Sequence, residues 1–440
     1  MADKKKNQKQ PAQKACVVGL DGTPYSMINK FMDEGVMPNL KDIVSRGRAF
    51  PMTVTLPEIS SVSWSSFMTG KNPGEHGIFG FTDLEPGSYK RCFPSFRDLK
   101  AETIWDRLGK EKMKSVVINQ PATYPARPIH GALVSGFVAV QLERSVFPAK
   151  YLRLARDLDY EIDVDASLVK DNPVALFRVL GELLDSRRRL MDALWDSEQW
   201  NLMEVIVTGT DRLHHFIWDA YEDDSHPHHG GFVDYYRRVD DFVGHVYEKF
   251  SRTDHPDNFF LLSDHGFCGT KKEVNVNSVL AELGYLRFDP ADSTSLEDVS
   301  AETAAFALDP ARIYIHREGR FPRGSVPEGE VGALKEELLT VFSQLDDGND
   351  PIVRRIFDGD DVYSGPYAGM GPDLLLVPRN GYDLKGRLGA SGVFSERKLQ
   401  GMHTWDDAFF VTLRSDLVPE TDDMTLLDVP PQILKSLDVS

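Results

Sequence analysis

Short apolar segments alternate with helical segments along this chain, and this alternation limits the folds open to it more than any other feature. Four of the apolar segments are KACVVGLDG (residues 14–22), MKSVVINQP (113–121), LMEVIVTGTD (202–211) and FFLLSDHG (259–266). Short strands that are apolar throughout are typical of a sheet buried on both faces. Strands that alternate with helices also favour parallel pairing. We therefore predict an α/β fold in which helices cover both faces of a largely parallel sheet.

Length and charge limit the functional classes. The chain has 440 residues, whereas one hydrophobic core usually stops growing at roughly 250–300 residues, so we expect a large domain with insertions, or two domains. The net charge of −18 disfavours binding to the phosphates of nucleic acid. No apolar run approaches the roughly 20 residues that span a bilayer, and the basic start lacks the apolar part of a signal peptide. We expect a cytoplasmic protein without a membrane-spanning segment.

Acidic residues follow three of the predicted strands. Asp21 follows the first, Asp211 follows the third, and Asp264 with His265 follows the fourth. Neighbouring side chains in a strand point to opposite faces, so Asp264 and His265 can converge only past the strand's end, where Gly266 lets the chain bend. One such acid is commonly a helix N-cap or a turn residue. Three together predict a site beyond the carboxyl ends of the strands.

A second group of candidate ligands lies in TDRLHHFIW, residues 210–218. Asp211 lies close to both His214 and His215, and the helical period of 3.6 residues favours His215. His403 lies in a glycine-containing loop before another apolar segment. Carboxylate and imidazole suit zinc, and also manganese or iron. The three cysteines lie far apart, so a thiolate metal site is not predicted.

A candidate nucleophile lies in TLPEISSVSWSSFMTGKNPGEHGIFGF, residues 55–81. A helix that begins near Ser60 and Ser61 would direct its backbone N–H groups at a bound phosphate. The alternative is that one of these serines only caps the helix. The residues Trp64, Phe67 and Met68 follow at helical spacing, which predicts a buried helix face.

Five motifs occur along the chain in the order GLDG, PEISSVSWSSFMTGKNPGEHGIF, TDRLHH, SDHGF and GMHTW. This series resembles the alkaline phosphatase superfamily, and within it the branch of type I phosphodiesterases and nucleotide pyrophosphatases. The resemblance extends from about residue 15 to the C-terminus. It implies a three-layer core with inserted cap segments. It also implies two divalent metal ions, usually zinc, that are bridged by the phosphate of the substrate.

The resemblance assigns the site residues. It gives one metal ion the ligands Asp211, His215 and His403, and gives the other Asp21, Asp264, His265 and the hydroxyl of Ser60. Ser60 is also the implied nucleophile. It is preferred to Ser61 and Ser63 because the family's nucleophile lies ten residues before the glycine of a Thr-Gly pair, which is Gly70 here.

The chain departs from the family near the substrate phosphate. Many relatives have proline where Val62 stands, and diesterase relatives have an asparagine that binds a phosphate oxygen where Phe81 stands. Lys71 or Thr82 is the predicted substitute for this contact, with Lys71 alternatively a solvated loop charge.

The predicted organisation is a metallohydrolase core with two insertions. The predicted ranges are a disordered basic tail at 1–14, a core at 15–139, 196–285 and 371–440, and cap segments at 140–195 and 286–370. The predicted function is hydrolysis of a small phosphoester, such as a diester or pyrophosphate, through a phosphoserine intermediate. The alternatives are a phosphomonoesterase or phosphomutase on the same fold, and a metal-binding relative without activity. Oligomeric state does not follow from the sequence.

Overall fold

The computed structural model describes residues 13–164, 169, 172–417 and 423–439. The predicted basic tail at 1–14 therefore lies almost entirely outside the described residues. In the described part of the chain, no helix has the length and apolar character needed to cross a bilayer.

Strands are numbered here in chain order. They are β1 Ala15–Leu20, β2 Arg48–Thr53, β3 Asp83–Leu84, β4 Arg91–Cys92, β5 Ser115–Gln120, β6 Gly131–Ser135, β7 Val146–Phe147, β8 Leu202–Val207, β9 Phe259–Leu262, β10 Gly266–Gly269, β11 Lys272–Asn275, β12 Ala305–Leu308, β13 Arg312–Ile315, β14 Val353–Asp358, β15 Leu374–Pro378, β16 Tyr382–Lys385, β17 Phe394–Ser395, β18 Gly401–Thr404, β19 Ala408–Thr412 and β20 Met424–Thr425. The α-helices are Tyr25–Asp33, Pro38–Ser45, Ser60–Thr69, Pro73–His76, Ile104–Lys110, Lys150–Asp157, Pro173–Ser197, Gly209–Ile217, Asp219–Glu222, His229–Phe250, Val276–Glu282, Glu328–Ser343, Gly359–Val362 and Val429–Ser436.

The largest sheet in the described residues has nine strands in the order β20-β2-β19-β9-β1-β8-β5-β6-β7. The four strands predicted from the sequence are neighbours in its centre, in the order β9-β1-β8-β5, and all three of their pairings are parallel. Only β19 and β7 run antiparallel to their neighbours. The predicted α/β fold with a mostly parallel sheet is confirmed.

Helices cover both faces of this sheet. Side chains of β1 alternate between two apolar cores: Cys16 and Val18 belong to one, and Ala15 and Val17 to the other, as the two-residue period of a strand requires. The first core includes the helices Tyr25–Asp33, Pro173–Ser197 and His229–Phe250. The second includes the helices Ser60–Thr69, Ile104–Lys110 and Val429–Ser436. The result is the three-layer arrangement that the resemblance implies.

The two predicted insertions have different surroundings. The helix Pro173–Ser197, within 140–195, packs its apolar face into the first core of the nine-stranded sheet. Strands β12, β13 and β14 of 286–370 join β15, which lies in the range predicted as core, in a smaller antiparallel sheet with a separate apolar core. The division of the chain into a core and cap segments stays a prediction.

Candidate active site

Three strands of the large sheet end at one edge, and acidic residues follow two of them directly. Leu20 pairs with Val207, and Gly19 pairs with Leu262, so β1, β8 and β9 end at the same level. Asp21 follows β1, and Asp264 with His265 lies between β9 and β10. All three side chains are buried, and parallel strands bring them together as the sequence predicts.

Ser60 is the first residue of its helix, and its hydroxyl reaches this group. Its Oγ lies 3.3 Å from Asp21 Oδ1 and 3.2 Å from His265 Nε2. The N-cap residue is Ile59, and no side chain caps the helix, so neither Ser60 nor Ser61 has the capping role. The hydroxyls of Ser61 and Ser63 form no hydrogen bond within the described residues. Of these three serines, the geometry brings Ser60 to the cluster.

The second group of predicted ligands also comes together. Asp211 and His215 are one turn apart on the helix Gly209–Ile217, and His403 lies on β18 opposite Phe267 of β10. Oδ1 of Asp211 lies 3.3 Å from His215 Nε2 and 3.2 Å from His403 Nε2. The two Nε2 atoms are 3.1 Å apart.

His214, the alternative partner of Asp211, has a structural role. Its Nδ1 donates to the carbonyl oxygen of Gly22 at 3.0 Å, and its Nε2 accepts from the hydroxyl of Tyr236 at 2.7 Å. Burial lowers the pKa of His214 to about 3, so its ring is neutral. Both ring nitrogens are occupied, so of the two neighbouring histidines it is His215 that turns its free Nε2 side toward Asp211.

The three clustered imidazoles share one orientation. Nδ1 of His215, His265 and His403 lies 3.0, 3.0 and 2.9 Å from the carbonyl oxygens of Gly401, Gly266 and Glu58. A carbonyl oxygen can only accept a hydrogen bond, so each Nδ1 carries the proton. Each Nε2 is therefore the ring nitrogen that faces the cluster, which is the orientation of a metal-binding histidine.

The carboxylates of the cluster are crowded. Oδ2 of Asp264 is buried and accepts no hydrogen bond from the described residues. Burial and the charge of Asp211 raise the pKa of Asp264 to about 8, although the backbone N–H of Gly22 opposes this shift. Burial and the charges of Asp264 and Asp211 also raise the pKa of Asp21 well above its usual range. Divalent cations would relieve this repulsion and satisfy the unpaired oxygen.

Two buried groups have the spacing that metal ions need. Ligand atoms of Asp21, Asp264 and His265 lie within 4.8 Å of one another, and so do those of Asp211, His265 and His403. Since His215 is within 3.3 Å of Asp211, it borders the second group. The donor set therefore fits a two-metal centre in which His265 lies between the two groups.

Two supporting residues were not predicted as parts of the site. Trp64, which the sequence indicates only as a core residue, donates from Nε1 to Asp21 Oδ2 at 3.0 Å. Arg212 donates to Asp211 Oδ2 at 3.2 Å and also binds Asp163. The one available signal for Trp64 is its position four residues after Ser60, on the same helix face.

The predicted phosphate contacts Lys71 and Thr82 are not brought to the cluster. Lys71 follows the far end of the helix that begins at Ser60, roughly 15 Å away at 1.5 Å per residue, and its Nζ binds Glu75 at 2.9 Å. The carbonyl oxygen of Thr82 accepts from Arg312 at 2.6 Å. Neither residue has a described contact with the clustered side chains, so Lys71 matches the alternative of a loop charge.

Solved structures with the same fold cover nearly the whole chain. Phosphonoacetate hydrolase from Sinorhizobium meliloti 1021, in complex with phosphonoformate, has a TM-score of 0.64 and 15% identity, over 98% of this chain and 96% of that chain. Wild-type alkaline phosphatase PafA has a TM-score of 0.60 and 12% identity, over 99% and 97%. Murine ectonucleotide pyrophosphatase/phosphodiesterase 5 has a TM-score of 0.55 and 15% identity, over 97% and 96%.

The sequence comparisons identify the family. No curated protein sequence gives a significant match. The family model described as type I phosphodiesterase / nucleotide pyrophosphatase matches residues 15–406, which is most of the chain and includes every clustered side chain. The chain therefore belongs to the type I phosphodiesterase / nucleotide pyrophosphatase family.

Proposed function

We propose that this protein hydrolyses small phosphoric diesters or pyrophosphate-type substrates, with Ser60 as the nucleophile and two divalent cations bound beside it. The family supports phosphoester hydrolysis in general. The finer assignment depends on the contacts of one hydroxyl. Ser60 Oγ touches an acid and an imidazole whose other contacts leave them free to bind a cation.

The observation that carries the proposal is the shared orientation of His215, His265 and His403. Each of the three rings directs Nε2 at a clustered carboxylate, and a divalent cation would bind these nitrogens and oxygens together. We assign Asp211, His215 and His403 to one ion, and Asp21, Asp264, His265 and Ser60 to the other. The imidazole and carboxylate donors favour zinc, with manganese or iron as alternatives. When bound, the cations would lower the pKa of the serine hydroxyl and offset negative charge on the phosphate.

The reaction then follows from the position of Ser60. Oγ forms a bond to phosphorus while the bond to the leaving oxygen breaks, and the proton that the hydroxyl loses to solvent is balanced by the proton that the leaving oxygen takes up. The first step yields phosphoserine and an alcohol or a phosphate. Water then attacks the phosphoserine, so the bond between Oγ and phosphorus breaks and the hydroxyl is restored. The free N–H groups at the start of the helix Ser60–Thr69 favour the negative charge of the transferring group.

The first prediction concerns Ser60→Ala. Removal of the nucleophile should lower kcat on bis-p-nitrophenyl phosphate by roughly 10³-fold or more and leave the bound metal content unchanged. Turnover of nitrophenyl esters and plasma mass spectrometry of the same preparations measure the two effects. Peptide mass spectrometry of the rapidly quenched wild type should locate phosphate on Ser60.

Ser63→Ala is the matched control, because Ser63 lies on the same helix and its hydroxyl forms no hydrogen bond within the described residues. It should retain activity. Undiminished turnover by Ser60→Ala would refute the assigned nucleophile. A comparison with p-nitrophenyl phosphate separates the diesterase from the phosphomonoesterase alternative. Metal-loaded protein that cleaves none of these esters would support the inactive relative.

A further inference from the structure

A cavity of about 510 Å³ opens beside the helix that carries the proposed nucleophile. Ser61 and Ser65 of this helix line one side of it, and Phe81 and Phe137 line another. Phe137 of its wall lies against the guanidinium of Arg212, with Cζ 4.2 Å from the ring centroid, and Arg212 binds the clustered Asp211. The organic substituent of a phosphoester held at Ser60 is therefore close to this cavity.

Aromatic rings form much of the cavity wall. Phe81 stacks on Phe137, with ring centroids 5.9 Å apart and planes 5° from parallel. Phe93 meets Phe81 edge to face at 5.6 Å. Phe81 and Phe93 are 42% and 67% exposed, so their faces are available to a ligand. Rings arranged in this way offer an apolar surface that is already in place.

Exposed apolar side chains concentrate at this cavity. Within the described residues, seven large apolar side chains are exposed, and three of them line it: Phe81, Phe93 and Val140. A group of apolar side chains left in water beside a site usually marks a place where a ligand or partner binds. The cavity borders the helix that carries the proposed nucleophile, which favours the substrate as that ligand.

The charges at the cavity are positive. Arg97 and Arg144 line it, and no acidic side chain does so among the described residues, although the whole chain carries a net charge of −18. Neither arginine forms an ion pair with a described residue. These two positive charges attract an anionic phosphoester, and the apolar wall then contacts its organic substituent.

Few polar groups of the wall are free to read the edge of a nucleobase: within the described residues, the hydroxyls of Ser61 and Tyr124 have no hydrogen-bond partner. The hydroxyl of Ser65 already donates to the carbonyl oxygen of Ser61, and that of Ser95 donates to Asp98 at 2.8 Å. The guanidinium of Arg144 lies over the ring of Tyr124 at 5.3 Å. Asparagine, glutamine and histidine are absent from the described lining.

We infer that this cavity binds the organic substituent of the phosphoester, and that the substituent is a large apolar group such as a phenyl ring or an alkyl chain of several carbons. This inference rests on the proposed function, since it places the phosphorus at Ser60. It names the preferred substrates as phosphoesters with an apolar substituent and disfavours those whose substituent is a nucleoside.

Binding tests the inference without turnover. Zinc-loaded protein is titrated calorimetrically with methylphosphonate, hexylphosphonate and thymidine 5′-monophosphate. Since each buried CH₂ adds favourable free energy, hexylphosphonate should bind at least about tenfold more tightly than methylphosphonate. It should also bind more tightly than the nucleotide. Equal affinities for the two phosphonates, or tighter binding of the nucleotide, would overturn the inference.

A substitution in the cavity wall and a matched control elsewhere test whether the hexyl group binds in this cavity. Phe93→Ser should remove most of the advantage of hexylphosphonate without changing methylphosphonate affinity or metal content. Phe394→Ser removes another exposed phenylalanine, one outside the cavity lining, and should leave the advantage intact. If both variants keep the full advantage, the hexyl group binds elsewhere and the inference fails.

Turnover separates this inference from the proposed function. Methyl and hexyl p-nitrophenyl phosphate share one leaving group, so their kcat/KM values differ through the second substituent. A ratio of about ten or more in favour of hexyl supports the inference, and a ratio near one overturns it while the hydrolase function stands. Tight binding of hexylphosphonate without cleavage of either diester supports the cavity assignment and refutes the function.

Discussion

Orientation of single side chains distinguishes the candidate metal centre from an ordinary group of polar residues. Each clustered imidazole donates a hydrogen bond from Nδ1 to a backbone carbonyl oxygen. Asp21 is held as well, because Oδ2 accepts from Trp64 and leaves Oδ1 facing Ser60. Such supporting contacts fix the direction of a ligand before a metal binds.

Trp64→Phe tests this support. The substitution keeps an aromatic ring in the core but removes the hydrogen bond to Asp21, so metal affinity should fall by roughly 10-fold or more. A competition titration with a chromophoric chelator measures the affinity. Trp105→Phe is the control, since Trp105 is equally buried and its Nε1 donates to Glu204, outside the cluster, at 3.0 Å. Equal metal affinities for the two variants would contradict the supporting role.

The sequence predicts individual ligands better than their supports. Asp21 and Asp264 follow apolar strands, and the helical period selects His215, so local patterns are enough to find them. Trp64 meets Asp21 across 43 positions of sequence, a contact that no local spacing encodes. Lys71 was a reasonable candidate by motif position, but the length of the helix places it away from Ser60.

At the scale of elements, β8 shows how a buried strand accommodates an acid. Every residue of β8 is buried. Leu202 and Ile206 belong to the second core, and Glu204 points to the same side because it lies between them at a spacing of two. Its one described side-chain hydrogen bond comes from Trp105 on the neighbouring helix. Burial raises the pKa of Glu204 to about 8, so this strand holds a neutral acid at pH 7.

Glu204→Gln should therefore change the pH dependence of stability. A raised pKa in the folded state stabilises the fold fully below the unfolded pKa of about 4.5, and this contribution is lost as pH rises toward 8. The slope is about 1.4 kcal/mol per pH unit. Glutamine cannot ionise, so the variant should lose about 2–3 kcal/mol less free energy of unfolding than the wild type between pH 6 and 8.

Urea unfolding at several pH values measures this difference, with the metal content held constant. Glu198→Gln is a useful comparison, because Lys150 and Tyr151 lower the pKa of Glu198 to about 2 and leave it charged across this range. In Glu198→Gln, the free energy of unfolding should fall between pH 6 and 8 by as much as it does in the wild type. Parallel profiles for Glu204→Gln and the wild type would mean that Glu204 does not titrate in this range.

The sequence predicts strands that have a continuous apolar sequence. It does not predict which strands pair when they are far apart along the chain. The strands β1, β5, β8 and β9 have continuous apolar sequences and lie together in the sheet. By contrast, β19 pairs antiparallel with β9 across about 150 positions of sequence, and no pattern in either strand specifies that partner. The cavity wall is equally non-local, since Phe81 and Phe137 come from different loops.

At the scale of the whole molecule, the candidate metal centre joins separate parts of the chain. Its candidate ligands span residues 21 to 403, and they lie beyond strands of the large sheet, on the helices that begin at Ser60 and Gly209, and on β18. The smaller sheet also borders the centre: a cavity of about 110 Å³ is lined by His215 and His403 together with Pro310, between β12 and β13, and Pro378 of β15. A bound cation would therefore link segments that are distant in sequence and stabilise the folded chain over the unfolded one.

Removal of the metal should lower the melting temperature. At a free metal concentration of 100 times Kd, binding contributes about 2.7 kcal/mol, so we expect chelation to lower Tm by a few degrees and added zinc to restore it. Differential scanning fluorimetry measures Tm, and circular dichroism checks that the chelated protein keeps its helices. Asp211→Asn weakens the site without changing its size, so its Tm should respond much less to zinc. A wild-type Tm that is the same with chelator and with zinc would show that these buried acids and imidazoles hold no metal.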